Sequence, residues 1–339
     1  MTFLVRPAHM SDLQTLYEMA KLTGGGFTNL PADREALRKK LERTEQALSR
    51  EEDKVEDELI VLVLENSETG LVRGTCQLFT KVGQNWPFYS YRIGVLSQNS
   101  RELGRNFRAE ILSLTTDLEG SSEVGGLFLH PRERAEGLGL LLARSRYLFI
   151  RQHRARFSDR ILAELRGVID EAGGSPFWDG LAGRFFGMSF QEADDFNAIH
   201  GNQFIADLMP KHPIYTAMLP ETARTVIGMP HPSGRAAMRM LETEGFHHDG
   251  YVDIFDGGPT MTAPTDKLRT IVEAQDAILA GIHSEKGEKM LVATGRLGDF
   301  RCCYGYALME EHGAGQLDAE CATLLKLHTG DPFTMVRRW

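Results

Sequence analysis

An apolar run followed by two closely spaced glycines is the feature of this sequence that most suggests binding chemistry. The run has the character of a β-strand, ends before Pro131, and consists of Leu127, Phe128 and Leu129. Beyond it, the spacing Arg134-x-x-Gly137-x-Gly139 predicts the start of a helix, which Leu138 continues. Without side chains at the two glycines, the unpaired N–H groups of the first helical turn can approach an anion, assisted by the helix dipole. The pattern therefore predicts a cradle for a pyrophosphate.

Two other glycine-rich phosphate sites do not fit this stretch. A dinucleotide fingerprint needs G-x-G-x-x-G with an acidic residue about 20 positions later, and a P-loop needs Gly-Lys-Ser/Thr. The pattern Arg/Gln-x-x-Gly-x-Gly after a strand instead resembles the GNAT superfamily of CoA-dependent N-acyltransferases. The structural alternative is a helix start in which glycine only allows close packing on a sheet.

Composition is that of a soluble globular protein. The 339 residues are 42% hydrophobic and 25% charged, enough for one large domain or two ordinary ones. The net charge of −9, without any basic stretch, argues against nucleic acid as a partner. No apolar run approaches the roughly 18 residues of a membrane span and no leader pattern is present, so we expect a cytoplasmic protein. The four cysteines lack metal-ligand spacing, so no metal site is expected.

Strand and helix patterns alternate along the chain in the order of an α+β protein. Strands are predicted at 3–8, 59–64, 71–82, 86–96, 111–115, 124–129, 161–166 and 251–255. Helices are predicted at about 13–20, 37–53, 137–156, 176–188, 191–208 and 233–244, the first of them capped by Ser11. This order resembles the GNAT fold, a mixed and mainly antiparallel sheet flanked by helices.

The same patterns suggest two parts in the chain. We expect residues 1–262 to form a GNAT-like acyltransferase core, extended in its C-terminal half by a helical insertion near 176–215. Residues 263–339 are predicted to form a small β-rich accessory module, with short strands at 290–294 and 333–337.

Several longer strings resemble one family in particular, the arginine N-succinyltransferases. These strings include Ala163-Glu-Leu-Arg-Gly-Val-Ile-Asp-Glu171, Ser175-Pro-Phe-Trp178, Leu208-Met-Pro-Lys-His-Pro-Ile-Tyr-Thr216, His231-Pro232 and Asp253-Ile-Phe-Asp-Gly-Gly-Pro-Thr260. The resemblance extends from about residue 3 to 262. It implies transfer of succinyl from succinyl-CoA, a co-substrate, to the α-amine of L-arginine in arginine degradation, with no permanently bound cofactor.

The resemblance also assigns roles to two residues. His231 corresponds to the family's proposed proton donor, and Leu127 to its succinyl-CoA contact. The reaction needs proton transfer, because the α-ammonium must lose a proton before it attacks and the departing thiolate must gain one. His231 precedes a predicted helix whose dipole disfavours an imidazolium, so we expect it to act in its neutral form. The alternative is an ordinary structural histidine.

The charged groups of the substrates require partners of opposite charge. Glu164 and Asp170 lie around the strand that follows the cradle helix, and they are candidates for binding the guanidinium. Arg92 and Arg166 are candidates for binding carboxylates. The alternative for each of these residues is a structural ion pair.

Other functions remain open at this point. One is a GNAT-type transferase for another acyl group or another amine such as ornithine, and another is a non-catalytic subunit that supports an active partner. Some family members pair non-identical subunits, so the expected assembly is a homo-oligomer or a pair with a related subunit. The residues before His231, Met229 and Pro230, also depart from the usual family pattern.

Overall fold

The structure is a computed structural model that describes residues 2–23, 29–134, 137–200, 203–283, 287–310 and 313–339. Internal contacts divide the chain into two compact units. Unit 1 consists of Met1–Thr80, Val124–Asp159 and Thr265–Trp339, and unit 2 of Lys81–Glu123 and Arg160–Pro264. This division differs from the boundary expected after residue 262, because the C-terminal segment pairs with the first strand of the chain.

The described elements follow one another in an α+β order. The strands are β1 (Phe3–Pro7), β2 (Leu59–Asn66), β3 (Val72–Phe79), β4 (Ser90–Ser100), β5 (Arg105–Thr115), β6 (Ser122–Leu129), β7 (Arg160–Glu164), β8 (Ile214–Tyr215), β9 (His247–Val252), β10 (Pro259–Pro264), β11 (Gln275–His283), β12 (Glu288–Thr294), β13 (Arg301–Met309), β14 (Ala314–Asp318) and β15 (Pro332–Arg337). The helices are α1 (Leu13–Lys21), α2 (Arg34–Ser49), α3 (Leu138–Gln152), α4 (Pro176–Gly180), α5 (Gly183–Phe186), α6 (Phe190–His200), α7 (Gln203–Leu208), α8 (Glu221–Arg224), α9 (Arg235–Glu244), α10 (Arg269–Glu273) and α11 (Ala319–Leu325).

In unit 1, the order β13-β1-β2-β3-β6 forms one part of the sheet, with Leu4 of β1 opposite both Cys303 and Glu65. The C-terminal strands follow in the order β12-β15-β11-β14-β13, and β12 pairs back with β13. These five strands therefore form a closed barrel, which leaves no free edge among them. The β-rich character of the C-terminal segment was predicted, whereas β11, β13, β14 and the closure were not.

Helices α1 and α2 cover one face of unit 1. Leu16, Leu37 and Leu41 are buried against strand residues that include Val61. The cap predicted at Ser11 is wrong, because a 3-10 turn comes first and the Asp12 carboxylate accepts the N–H of His9 at 2.8 Å. No helix in the described ranges is long and apolar enough to cross a membrane.

In unit 2, the strand order is β7-β10-β9-β4-β5-β8, and all of these neighbours are antiparallel. The first two residues of β6 pair with β7 in parallel, with Glu123 opposite Leu162. The only other parallel pair among the described strands is β11 with β14. The predicted α+β class with a mainly antiparallel sheet is therefore confirmed.

The core of unit 2 forms around the indole of Trp178, which stacks on Phe186 and on Phe255 at centroid distances of 5.6 Å. The helical stretch predicted from 176 to 208 is present as four short helices, interrupted by Gly187 in the left-handed conformation with a φ of 63°.

One strand prediction in unit 2 is displaced. The strand expected at 251–255 ends at Val252, because the Asp253 carboxylate accepts the N–H groups of Phe255 and Asp256 at 2.7 and 2.9 Å. These bonds make a turn that leads into β10. The turn matters for the site because it places carboxylates beside the end of β7.

Candidate active site

The predicted cradle lies in unit 1, where β6 ends at Leu129 and α3 begins at Leu138. Gly137 is the N-cap residue and has a φ of 79°, a left-handed conformation that favours glycine. Since glycine has no side chain, the N-cap residue gives the first-turn N–H groups no side-chain acceptor. The first-turn N–H groups of this 15-residue helix are donors suited to an anion. Arg134 precedes the helix, and its Nε donates to the Leu129 carbonyl at 3.4 Å.

The two glycines of the cradle differ in their surroundings. A Cβ added at Gly139 would meet only the Cδ2 of Leu129, at 3.9 Å, which is an ordinary contact. A Cβ added at Gly137 would lie 2.5 Å from Nη2 of Arg338. The protein itself therefore leaves room for a Cβ at Gly139. A substitution at this position tests ligand binding rather than folding.

Positive charges surround the end of β6. The pKa of His130 is lowered by burial and then by the charges of Arg73, Arg132 and Arg134, in spite of Glu133. Such a field suits phosphate oxygens. The sequence motif contains Arg134 but gave no signal for Arg73 or Arg338, because these arrive from distant segments.

The apolar residues of the motif differ in burial. Phe128 is buried in the core of unit 1 with Leu37 and Val61, and Leu138 is also buried. Leu127 and Leu129 are half-buried. Their packing fixes the strand and the helix whose backbone forms the cradle.

His231 lies in unit 2, and one of its ring nitrogens contacts Ser233. Its Nδ1 accepts the N–H of Ser233 at 3.2 Å and lies 2.7 Å from the hydroxyl oxygen of that residue. The bond from the N–H forms when the proton is on Nε2, whereas with the proton on Nδ1 the ring donates to the Ser233 hydroxyl and Nε2 is an acceptor for a substrate. The pKa of His231 is lowered, first by burial and then by the charge of Arg166. The lowering has the expected direction, and His231 is the N-cap residue of a 3-10 turn, Pro232–Gly234, that leads directly into α9 at Arg235.

Arg166 is directly connected to His231, since its carbonyl accepts the His231 backbone N–H at 2.7 Å. The Nε of Arg166 is buried, and no described residue accepts a hydrogen bond from it. Arg92 differs, because it is exposed and forms an ion pair with Asp117 at 3.4 Å above the ring of Tyr251. The structure thus brings Arg166 together with His231 and places Arg92 in a surface ion pair.

The two candidate carboxylates also differ. Asp170 stabilises its own loop by accepting the N–H groups of Ala172 and Gly174 at 2.9 and 2.8 Å. Glu164 ends β7, and no described residue gives its carboxylate a hydrogen bond or an ion pair. Its pKa is raised well above the usual value by burial and then by the charges of Asp253, Glu123 and Asp256.

Asp253, Asp256 and Asp194 were missed by the sequence analysis. Burial, and then the charge of Asp253, raise the pKa of Asp256 to about 8 and that of Asp194 to about 6. The pKa of Asp194 also responds to Arg166. These residues come from separate segments, so only the fold could show that their charges interact.

Comparison with known proteins shows that the chain is an acyltransferase. The sequence model of the arginine N-succinyltransferase beta subunit matches residues 3–270, and that of the C-terminal domain of the same subunit matches residues 275–337. The chain therefore belongs to the arginine N-succinyltransferase family.

Individual relatives extend over the whole chain. Proteins named arginine N-succinyltransferase from Escherichia coli O1:K1 / APEC and from Escherichia coli strain UTI89 / UPEC are each 42% identical over 98% of this chain and 97% of their own length. Among solved structures, arginine/ornithine succinyltransferase subunit AI from Pseudomonas aeruginosa is 31% identical with a TM-score of 0.89, over 99% of this chain and 98% of that one.

Proposed function

We propose that this protein transfers succinyl from succinyl-CoA to the α-amine of L-arginine, by direct attack when both substrates are bound. The observation that carries the proposal is the β6–α3 cradle with its two glycines, in a chain that belongs to this family. Uncapped first-turn N–H groups beside several arginines suit the pyrophosphate of CoA, as in a GNAT-like fold. Leu127 and Leu129 lie on the strand that leads to this cradle.

His231 is the proposed proton-transfer residue. In the neutral ring with its proton on Nδ1, this proton is donated to the Ser233 hydroxyl 2.7 Å away, and Nε2 is free to take a proton from the attacking nitrogen. Because burial and Arg166 lower its pKa, the imidazolium that forms then gives this proton readily to the departing thiolate. One residue thus serves both proton transfers.

Arg166 is the proposed partner of the terminal carboxylate of the succinyl group. Its buried Nε has no acceptor among the described residues, and a carboxylate would supply one. Arg92 is already paired with Asp117 and is the weaker candidate.

The acceptor amine is the second part of the proposal. A relative of solved structure is named for arginine and ornithine, so ornithine is the alternative acceptor. Release of free CoA thiol should be measured with succinyl-CoA and arginine, ornithine or lysine at equal concentrations. The proposal expects the highest kcat/KM with arginine. Thiol release with none of the three amines would contradict it and favour a supporting subunit.

Assembly and location belong to the same proposal. We infer an oligomer, either of this chain or with a related subunit, because the solved relative is named as a subunit. The four cysteines are buried and form no disulfide, which supports a reducing compartment such as the cytoplasm. Light scattering of the purified chain, alone and with succinyl-CoA, tests the assembly.

A further inference from the structure

The end of β7 and the turn between β9 and β10 approach each other closely in unit 2. The N–H of Gly167 donates to the Asp256 carboxylate at 2.7 Å, and a Cβ on Gly167 would lie 2.3 Å from the Asp256 carbonyl oxygen. A Cβ on Gly258 would lie 2.1 Å from the carbonyl oxygen of Leu165. Only glycine permits this approach, which brings the acidic residues of the two segments within electrostatic range.

We call the acidic residues Glu123, Glu164, Asp253 and Asp256 the carboxylate cluster. Their charges act on one another, and in the described chain no cation is paired with Glu164. Asp256 differs from Glu164, because its two oxygens accept the N–H groups of Gly167 and Gly258. Glu164 is therefore the member whose carboxylate has no structural partner.

An independent feature lies beside Glu164. Thr260 of β10 is directly opposite Glu164 in the antiparallel pair, so the two side chains emerge on the same face of the sheet as neighbours. Thr260 is fully buried, and its hydroxyl has no hydrogen-bond partner among the described residues. A buried hydroxyl without a partner carries a desolvation cost that a suitable ligand would remove.

We propose that Glu164 and Thr260 bind the guanidinium group of the acceptor amino acid, and that the carboxylate cluster makes this position selective for a side-chain cation. A guanidinium carries five N–H donors in a planar fork that matches a carboxylate, and one more donor can reach a hydroxyl oxygen. Its positive charge also relieves the repulsion within the cluster. This inference rests on the proposed function and names the residues that distinguish arginine from a neutral amino acid.

The α-ammonium is a poorer occupant of this position. Pairing with a carboxylate stabilises the protonated amine and raises its pKa, which opposes the loss of the proton that attack requires. A guanidinium keeps its charge throughout the reaction, so its binding is not opposed by the chemistry.

The test compares arginine with citrulline, in which a neutral urea replaces the guanidinium at nearly the same shape. With succinyl-CoA as donor, Glu164→Gln should lower kcat/KM for arginine by about 10²-fold and leave that for citrulline nearly unchanged. Thr260→Val, a change that a strand tolerates, should lower kcat/KM for arginine about tenfold. Thr262→Val is the matched control, since this hydroxyl two positions along the strand already bonds Asp249 at 2.8 Å, and it should not change the preference.

Equal losses for arginine and citrulline would overturn the inference, because Glu164 would then serve a group that both molecules share. An unchanged preference in Glu164→Gln and Thr260→Val would also overturn it. Calorimetric binding of arginine and citrulline to the wild-type protein and to Glu164→Gln separates this inference from the proposed function. An inactive wild type that still binds arginine through Glu164 would contradict the proposed reaction and support the guanidinium site.

Discussion

The cradle of unit 1 and the carboxylate cluster of unit 2 are assembled in opposite ways. The cradle is one continuous stretch, in which the strand, Gly137 and the first turn of α3 follow each other along the chain. The cluster joins Glu123 of β6, Glu164 of β7 and the turn that contains Asp253 and Asp256. A site made of local backbone is visible in the sequence, whereas a site made of distant side chains becomes visible only in the fold.

The two regions also bind by different means. In the cradle the donors are backbone N–H groups, so the residues matter through the side chains that they lack. In the cluster the side chain of Glu164 acts through its charge, which burial and the neighbouring carboxylates make costly until a cation arrives. Substitutions should therefore affect the two regions differently.

Replacement of His231 by alanine should have the largest effect, because a proton-transfer residue contributes a factor of about 10² to 10⁴ in rate. Turnover with saturating arginine and succinyl-CoA should fall by this factor, while calorimetric binding of succinyl-CoA stays close to that of the wild type. A wild-type rate would return His231 to a structural role, and a loss confined to affinity would make it a binding residue.

Replacement of Arg166 should have the second-largest effect, and replacement of Arg92 is the control. Arg166→Gln removes a guanidinium whose buried Nε has no acceptor among the described residues, so kcat/KM with succinyl-CoA should fall by about 10²-fold while that with acetyl-CoA changes little. Arg92→Gln removes a cation in a surface ion pair and should leave donor preference unchanged. The reverse pattern would make Arg92 the partner of the succinyl carboxylate.

Replacement of Gly139 should weaken CoA binding by at least about tenfold, or ~1.4 kcal/mol. A Cβ at Gly139 has room in the protein alone, and the valine side chain in Gly139→Val would stand between the backbone and a pyrophosphate. Calorimetry with CoA measures the loss, and an unchanged melting temperature shows that the fold is intact. Unchanged affinity in a folded variant would mean that the glycine serves only close packing.

Replacement of Asp194 should have the smallest effect, and this effect should be on the stability of the fold. Its folded pKa of about 6 exceeds the unfolded value, so its contribution is fully present below about pH 4 and is lost as pH rises through about 6. Asp194→Asn should then raise the free energy of unfolding at pH 7 by roughly 1 kcal/mol, allowing for its partial exposure, and change little at pH 4. Denaturant unfolding at both pH values measures this, with the exposed Asp195→Asn as control. A loss of stability at pH 7 would show that Asp194 has a favourable partner.

How much of the structure could be predicted from the sequence depends on the same difference between local segments and distant residues. The strand, the glycines and the helix of the cradle were predictable because their signals lie within about a dozen adjacent residues. The barrel closure was not, because β12 meets β13 and β15 through pairing that no local pattern encodes. Glu164 and Arg166 could be proposed from their place after the cradle helix, yet Thr260 and Asp253 required the register of β7, β9 and β10.

The central claim is tested most directly by the donor preference of the wild-type protein. kcat/KM should be measured for succinyl-CoA and for acetyl-CoA with arginine as the acceptor. A site that pairs the terminal carboxylate should use acetyl-CoA at least ~10²-fold less efficiently, since acetyl leaves the buried Nε of Arg166 without an acceptor. Similar values for the two donors would contradict succinyl transfer and favour a general acyltransferase.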